Sequence, residues 1–420
     1  MLRLLPAIFA AATAYAQISD PVFSRVPFDQ WTEAGQSHLR WHPEIAALGL
    51  TDHQRLLYRI QVKVDGAEMV KRRGKGRFLV LVEFRDSQGR TFQAHGAISL
   101  RDVKDEASRA DLQFQQNAFL MPGEYRVALA VYVTGTREYA LARRTLHVDP
   151  LPHDPLAGAW RDLPPVEFVP GGDPPDAYFL PTIQGKLNLP IETRRRVEID
   201  LMVNATPSEE PAGRRGARSP GQMLGMLLPS MKTLAQLRPE NGSMNIAMLD
   251  LARQKVTFQS SAGLDWEELK NALAETNPHM IDVGSLEKQK GDAQFFVKEI
   301  ARRLEESRDA EAIHALIVLS APMAFIHGED LHPIEISADR NCKVFYLRYS
   351  PSARRVAPGP APMMARRGPG NVPLGAPPVA DDSLERTLKP LNPRLFDVTT
   401  PAEFRKALAV MIEEIGRAAR

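Results

Sequence analysis

Two hydrophobic patterns divide this chain, and the change from one to the other constrains its fold most. From Leu56 to about Val148 the apolar residues alternate or run in short blocks separated by turn residues. Residues 57–64 and 77–84 are such blocks, and Asp86, Ser87, Gln88 and Gly89 form a turn after the second. Residues 122–133 are the clearest case: a Pro-Gly turn, then Tyr125, Val127, Leu129, Val131 and Val133 at every second position. Period-two patterning at regular spacing predicts antiparallel strands. With residues 145–148 closing the pattern, 17–150 is expected to be an immunoglobulin-like β-sandwich. A less regular lead-in, 28–50, carries Trp31 and Trp41.

Residues 151–193 then read as a Pro/Gly-rich linker. Pro152, Pro155, Pro164, Pro165 and Pro170, with Gly171 and Gly172, leave few amides for a regular ladder.

From 194 to 420 strands alternate with helices. Residues 196–205 (RVEIDLMVNA), 315–319 and 343–347 read as buried strands, and 242–257 begins and ends with strand-like runs. Residues 221–237 are expected to be helical despite Pro229, and 265–274 begins with an N-cap aspartate. The segment 292–307 sets Phe296, Ile300 and Leu304 on one stripe. After 395–398, Thr400, Pro401, Ala402 and Glu403 spell a capping-box start to a terminal helix. The expectation is a doubly wound, Rossmann-like α/β domain with right-handed crossovers. Residues 351–382, rich in Pro, Gly, Ala, Met and Arg, read as a disordered insertion in it.

Composition excludes several classes. The 420 residues are 44% hydrophobic with a formal charge of +2, unlike a disordered chain or a dedicated nucleic-acid binder. Residues 1–16 (MLRLLPAIFAAATAYA) have one cation, a short apolar run and small residues around Tyr15, the pattern of a secretory signal peptide cleaved after Ala16. A secreted, periplasmic or envelope address follows, with membrane contact only if that segment is retained. Cys342 is the sole cysteine, so neither a disulfide framework nor a cysteine zinc site is available.

In an open α/β sheet ligands sit beyond the carboxyl ends of the strands. After the first such strand stand Asn204, Ala205, Thr206, Pro207 and Ser208, and after ALIVL comes Ser320-Ala321-Pro322-Met323. With the ending RLFDVTTPAEFRKALAVMIEEI, these segments resemble the von Willebrand factor A-type domain, in particular the secreted variant of Acidobacteria-like bacteria in which a sandwich-like region precedes it. In that family a D-x-S-x-S motif, a threonine and a later aspartate hold Mg²⁺ or Mn²⁺ for an acidic group of the partner. By this resemblance Asn204 stands at the first aspartate, Thr206 and Ser208 at the serines, and Ala321 at the later aspartate. Both carboxylates are absent, which leaves no charge to strip water from a hard dication. The implication is a degenerate, metal-free site that uses no cofactor and binds a protein partner through Asn204, Thr206, Ser208, Ala321 and Met323.

Other features carry less. Cys342 precedes a strand, away from the expected crevice, although His327 and His332 are near it in sequence. His279 and His314 read as structural residues. The basic run 71–77 reads as a solvated hairpin loop, and the pairs Glu209, Glu210 and Asp381, Asp382 lie in loops without a visible partner. Asn204 and Asn241 head glycosylation acceptor patterns. The leading expectation is an exported, non-enzymatic interaction protein. Two rivals are an exported hydrolase using Ser320 or Ser208 and a structural component of the cell envelope.

Overall fold

The computed structural model describes residues 19–31, 39–169, 183–206, 220–275, 292–306, 311–323, 334, 341–349 and 382–420. Residues 1–16, read above as a signal peptide, Ser208 and most of the stretch 351–382 lie outside these. Contacts divide the chain into two units.

The first unit is antiparallel. Its strands are β1 (Trp41–Leu50), β2 (Leu56–Asp65), β3 (Arg77–Asp86), β4 (Thr91–Ser99), β5 (Asp111–Leu120), β6 (Gly123–Val133), β7 (Tyr139–Val148) and β8 (Val166–Val169). They form two four-stranded sheets in the orders β1-β2-β5-β8 and β4-β3-β6-β7. Val62 and Val64 of β2 share a core with Phe78 and Val80 of β3 and Val131 and Val133 of β6. The other face of β3 and β6 is covered by Phe23, Phe28 and Trp31.

The second unit holds β9 (Leu189–Ile191), β10 (Val197–Asn204), β11 (Leu237–Pro239), β12 (Gly242–Asp250), β13 (Lys255–Ser260), β14 (Ile313–Ser320), β15 (Cys342–Tyr349) and β16 (Arg394–Val398). Six of them form a mixed sheet in the order β13-β12-β10-β14-β15-β16, and β9 and β11 pair separately. Helices span Pro220–Leu234, Trp266–Glu275, Asp292–Glu306, Ser383–Leu388 and Pro401–Ala418. Phe296 and Ile300 of the third are fully buried against Met202, Leu249 and Val318 of the sheet, the stripe expected from their spacing.

This organisation corrects the expected fold class. In place of an immunoglobulin-like sandwich followed by a doubly wound, Rossmann-like domain, the described residues form several antiparallel and mixed sheets. One physical reason lies between β12 and β13. Only four residues separate these strands, and Gln254 takes φ 52° in the turn, so the chain returns antiparallel where a crossover helix would need a dozen residues or so. Another lies in the stretch read as a linker. Between Pro165 and Pro170, Val166–Val169 pairs antiparallel with β5, because four free amides suffice for an edge strand. Part of the lead-in is also regular: Trp41–Leu50 is β1.

Two short stretches, Leu50–Arg55 and His153–Asp162, belong to the second unit although the chain around them belongs to the first. The basic run 71–77 starts on the last residue of a helix, Gly66–Lys71, capped by the Asp65 carboxylate on the Ala67 N–H, and continues as a turn in which Arg73 and Lys75 are exposed. Arg72 is half-buried between Glu68 and Glu138, each 2.6 Å away. Among the described residues no helix is long and apolar enough to cross a membrane, which says nothing of a strand-built barrel.

Candidate interaction site

The parallel register of β10 and β14 brings their carboxyl ends side by side, and two residues singled out above meet there. Asn204 is the last residue of β10 and Ser320 the last of β14. The Asn204 amide donates to Ser320 Oγ at 2.9 Å and to Met323 Sδ at 3.7 Å. Its carbonyl oxygen accepts from Thr206 N at 3.1 Å and from Thr206 Oγ1 at 2.5 Å. Thr206 Oγ1 in turn accepts from Leu251 N at 2.7 Å, which ties the group to the end of β12. Asn204, Thr206 and Ser320 are all buried. Ala321 and Met323 are half-buried beside them, and Ser208 lies outside the described residues.

The network closes on itself. Asn204 Oδ1, the oxygen at the position where the resemblance implies a metal-ligating aspartate, is engaged twice by Thr206. The neutral amide and hydroxyls therefore do not fit a hard dication, which wants carboxylate charge and free oxygen lone pairs. Among the described residues no group of three or more His, Cys, Asp or Glu is placed to hold a metal ion. Ser320 Oγ donates to the Ala321 carbonyl at 2.7 Å while it accepts from Asn204. Its proton is thus committed to a group that cannot act as a base.

A second layer escaped the sequence reading. Asp382, taken above as a partnerless loop acid, accepts from Tyr346 OH at 2.8 Å and from the backbone N–H of Met323 at 3.3 Å. It also caps the helix Ser383–Leu388 through the Leu384 N–H. Burial drives its carboxyl above the usual carboxylate range, against these hydrogen bonds and the Arg348 charge. Burial and the adjacent Asp382 charge push the Tyr346 phenol far above its ordinary value. Arg348 joins Asp382 at 3.8 Å, Glu385 at 2.7 Å and Asp397 at 2.6 Å. The signal that could have found Asp382 is local: D-S-L-E, an aspartate with a glutamate three residues on, is an N-cap pattern.

No protein-family model matches the chain, and no curated protein matches it. Solved structures give faint likenesses. The conserved hypothetical protein BatB from Bacteroides thetaiotaomicron is 14% identical over 53% of this chain and 99% of its own, at a TM-score of 0.29. The structural-genomics target SoR45 is 15% identical over 29% of this chain and 98% of its own, at 0.18. A β-glucosidase from Listeria innocua in complex with gluconolactone is 13% identical over 28% of this chain and 17% of its own, at 0.15.

The remaining candidates fall elsewhere. Cys342 opens β15, at the amino end of the sheet, in register with His314 of β14, whose Nδ1 lies 3.5 Å from Glu198 Oε2. His279, His327, His332, Glu209, Glu210 and Asp381 lie outside the described residues. Asn204 spends its amide nitrogen on Ser320, so of the two glycosylation acceptor patterns only Asn241 is exposed.

Proposed function

We propose that this is an exported, non-enzymatic interaction protein, related to the A-type domains, whose second unit binds a protein partner without a metal at the carboxyl ends of β10 and β14. The observation that carries this reading is the closed Asn204–Thr206–Ser320 network. By the resemblance it takes the position of the metal ligands of an adhesive A-type site, and its polar atoms hold one another, which leaves the half-buried Ala321 and Met323 for the contact surface. The hydrolase alternative draws less support, because the Ser320 proton goes to a backbone carbonyl. Export rests on residues 1–16, with a secreted, periplasmic or envelope destination.

A photo-crosslinking residue at Ala321, with a second at Arg196 on the opposite edge of the sheet as control, tests the proposal in the exporting cell. Crosslinks to a polypeptide from position 321 and not from 196 are expected. Labelling of Ser320 by a serine-directed fluorophosphonate would overturn the non-enzymatic reading.

A further inference from the structure

The outer face of the sheet β4-β3-β6-β7 carries a concentration of charge that the proposed site does not use. Its apolar half, including Leu79, Leu81, Ala130 and Leu141, lies under Phe23, Phe28 and Trp31. A cavity opens on each side of that aromatic strap. One, of about 440 Å³, is lined by Arg85, Arg126, Arg143 and Arg144, with Glu83 and Asp29. The other, of about 720 Å³, is lined by Arg25, Arg77 and Arg137, and no acidic residue lines it. All seven arginines are exposed. The linings of the two cavities together carry these seven arginines against two acids, a formal +5, on a chain whose total is +2.

The arrangement is unfavourable without a ligand. Arg85 and Arg126 stand directly opposite each other on β3 and β6, a like-charge pair that weakens a ladder. Arg25, Arg77, Arg126, Arg137 and Arg144 form no ion pair among the described residues. Of the two acids, Glu83 is already held by Gln93 at 2.8 Å and Arg85 at 3.4 Å.

We propose that this face docks an acidic polypeptide segment, rich in Asp and Glu, of a partner protein. Charge placed in two groups on either side of the strap calls for a ligand with several negative charges spread along a chain. Arginine forks suit planar carboxylates, which they engage bidentately. The aromatic residues argue against nucleobases and sugar rings as the recognised groups. Trp31 and Tyr132 are 4% and 7% exposed, so neither offers a free face for stacking.

Titration of the full chain with poly-L-glutamate at low and high salt tests this, with heparin and a single-stranded oligonucleotide as competing arms. Polyglutamate is expected to bind and to weaken steeply with salt. The charge reversals R126E/R144E and R25E/R137E should each lower its affinity at least about tenfold, and the milder R126Q/R144Q several-fold, with unchanged circular dichroism. Failure of polyglutamate to bind at low salt would overturn the proposal. So would equal binding by the reversed variants, or tighter binding of heparin or the oligonucleotide. The variant A321W reports on the other surface: it should leave polyglutamate binding intact, so the two proposals fail separately.

Discussion

Arg405 grips Asp154 with two parallel hydrogen bonds, Nε to Oδ1 at 2.6 Å and an Nη to Oδ2 at 2.8 Å, across 251 positions of sequence. The guanidinium also donates to the Leu156 carbonyl and lies 4.6 Å over the Trp160 ring. This clasp ties the His153–Asp162 stretch to the terminal helix within the second unit. Both partners are buried, at 3% and 9% side-chain exposure. Asp154→Ala leaves an uncompensated cation and should cost about 3–5 kcal/mol in urea unfolding. The double variant Asp154→Leu with Arg405→Leu should cost less than the single one, the reverse of what independent contacts would give.

The same carboxylate sets an acid limit. Burial acts to raise the Asp154 pKa, but the Arg405 and Leu156 hydrogen bonds and the Arg405 charge outweigh it and hold the group below its ordinary value. A depressed carboxylate contributes stability above the unfolded pKa, near 4, and loses it as pH falls through the lower folded value. The difference between natural protein and Asp154→Asn, measured by urea midpoint, should therefore be largest above about pH 5 and shrink towards pH 3.

His53 acts in a separate window. Burial, followed by the charges of Lys232 and Arg55, lowers its pKa from 6.5 to about 3. Between those values the unfolded chain takes up a proton that the folded chain refuses, so stability falls as pH drops below 6.5. The loss should approach about 1.4 kcal/mol per pH unit. A His53→Gln variant should unfold with a midpoint nearly flat from pH 6.5 to 5, where the natural protein declines.

How much of this was legible in the sequence depended on where the information lay. Local patterns were readable: the Thr400–Glu403 capping box is present, and Phe296 and Ile300 are buried on one face as their spacing required. β1 was not, because Pro43 and Gly49 interrupt WHPEIAALGL and its burial does not alternate. The antiparallel turn at Gln254 was hidden because an apolar run does not reveal the direction of its partner. At the site, Asn204 and Thr206 were visible from their place after a strand. Asp382 and Tyr346 lie 36 positions apart in the chain, and only folding makes them a pair.

That pair supplies its own test. Tyr346→Phe keeps the ring in the core and deletes the hydroxyl that Asp382 Oδ2 accepts. The buried carboxylate is then left with Arg348 at 3.8 Å on that oxygen. A loss of about 1–3 kcal/mol is expected, since a buried charge deprived of its donor costs more than a neutral hydrogen bond. An undiminished urea midpoint would show that water replaces the phenol.

The Asn204 network predicts what introducing carboxylates of the A-type pattern would do. Asn204→Asp keeps the acceptor that Thr206 uses but removes the amide that donates to Ser320, and it buries a carboxylate beside a serine oxygen. Without a compensating cation that exchange should destabilise the chain by about 1–3 kcal/mol. A ligand that prefers the folded state raises its stability by mass action, so thermal midpoints in Mg²⁺, Mn²⁺ and EDTA decide the issue. The natural protein should unfold at the same temperature in all three. For Asn204→Asp the loss should persist in Mn²⁺, because Ala321 still withholds the second carboxylate, whereas Asn204→Asp with Ala321→Asp should regain part of it only when Mn²⁺ is present. A natural protein stabilised by Mn²⁺ would mean that Asn204 and Thr206 exchange their mutual hydrogen bonds for metal coordination, and the metal-free reading would fall.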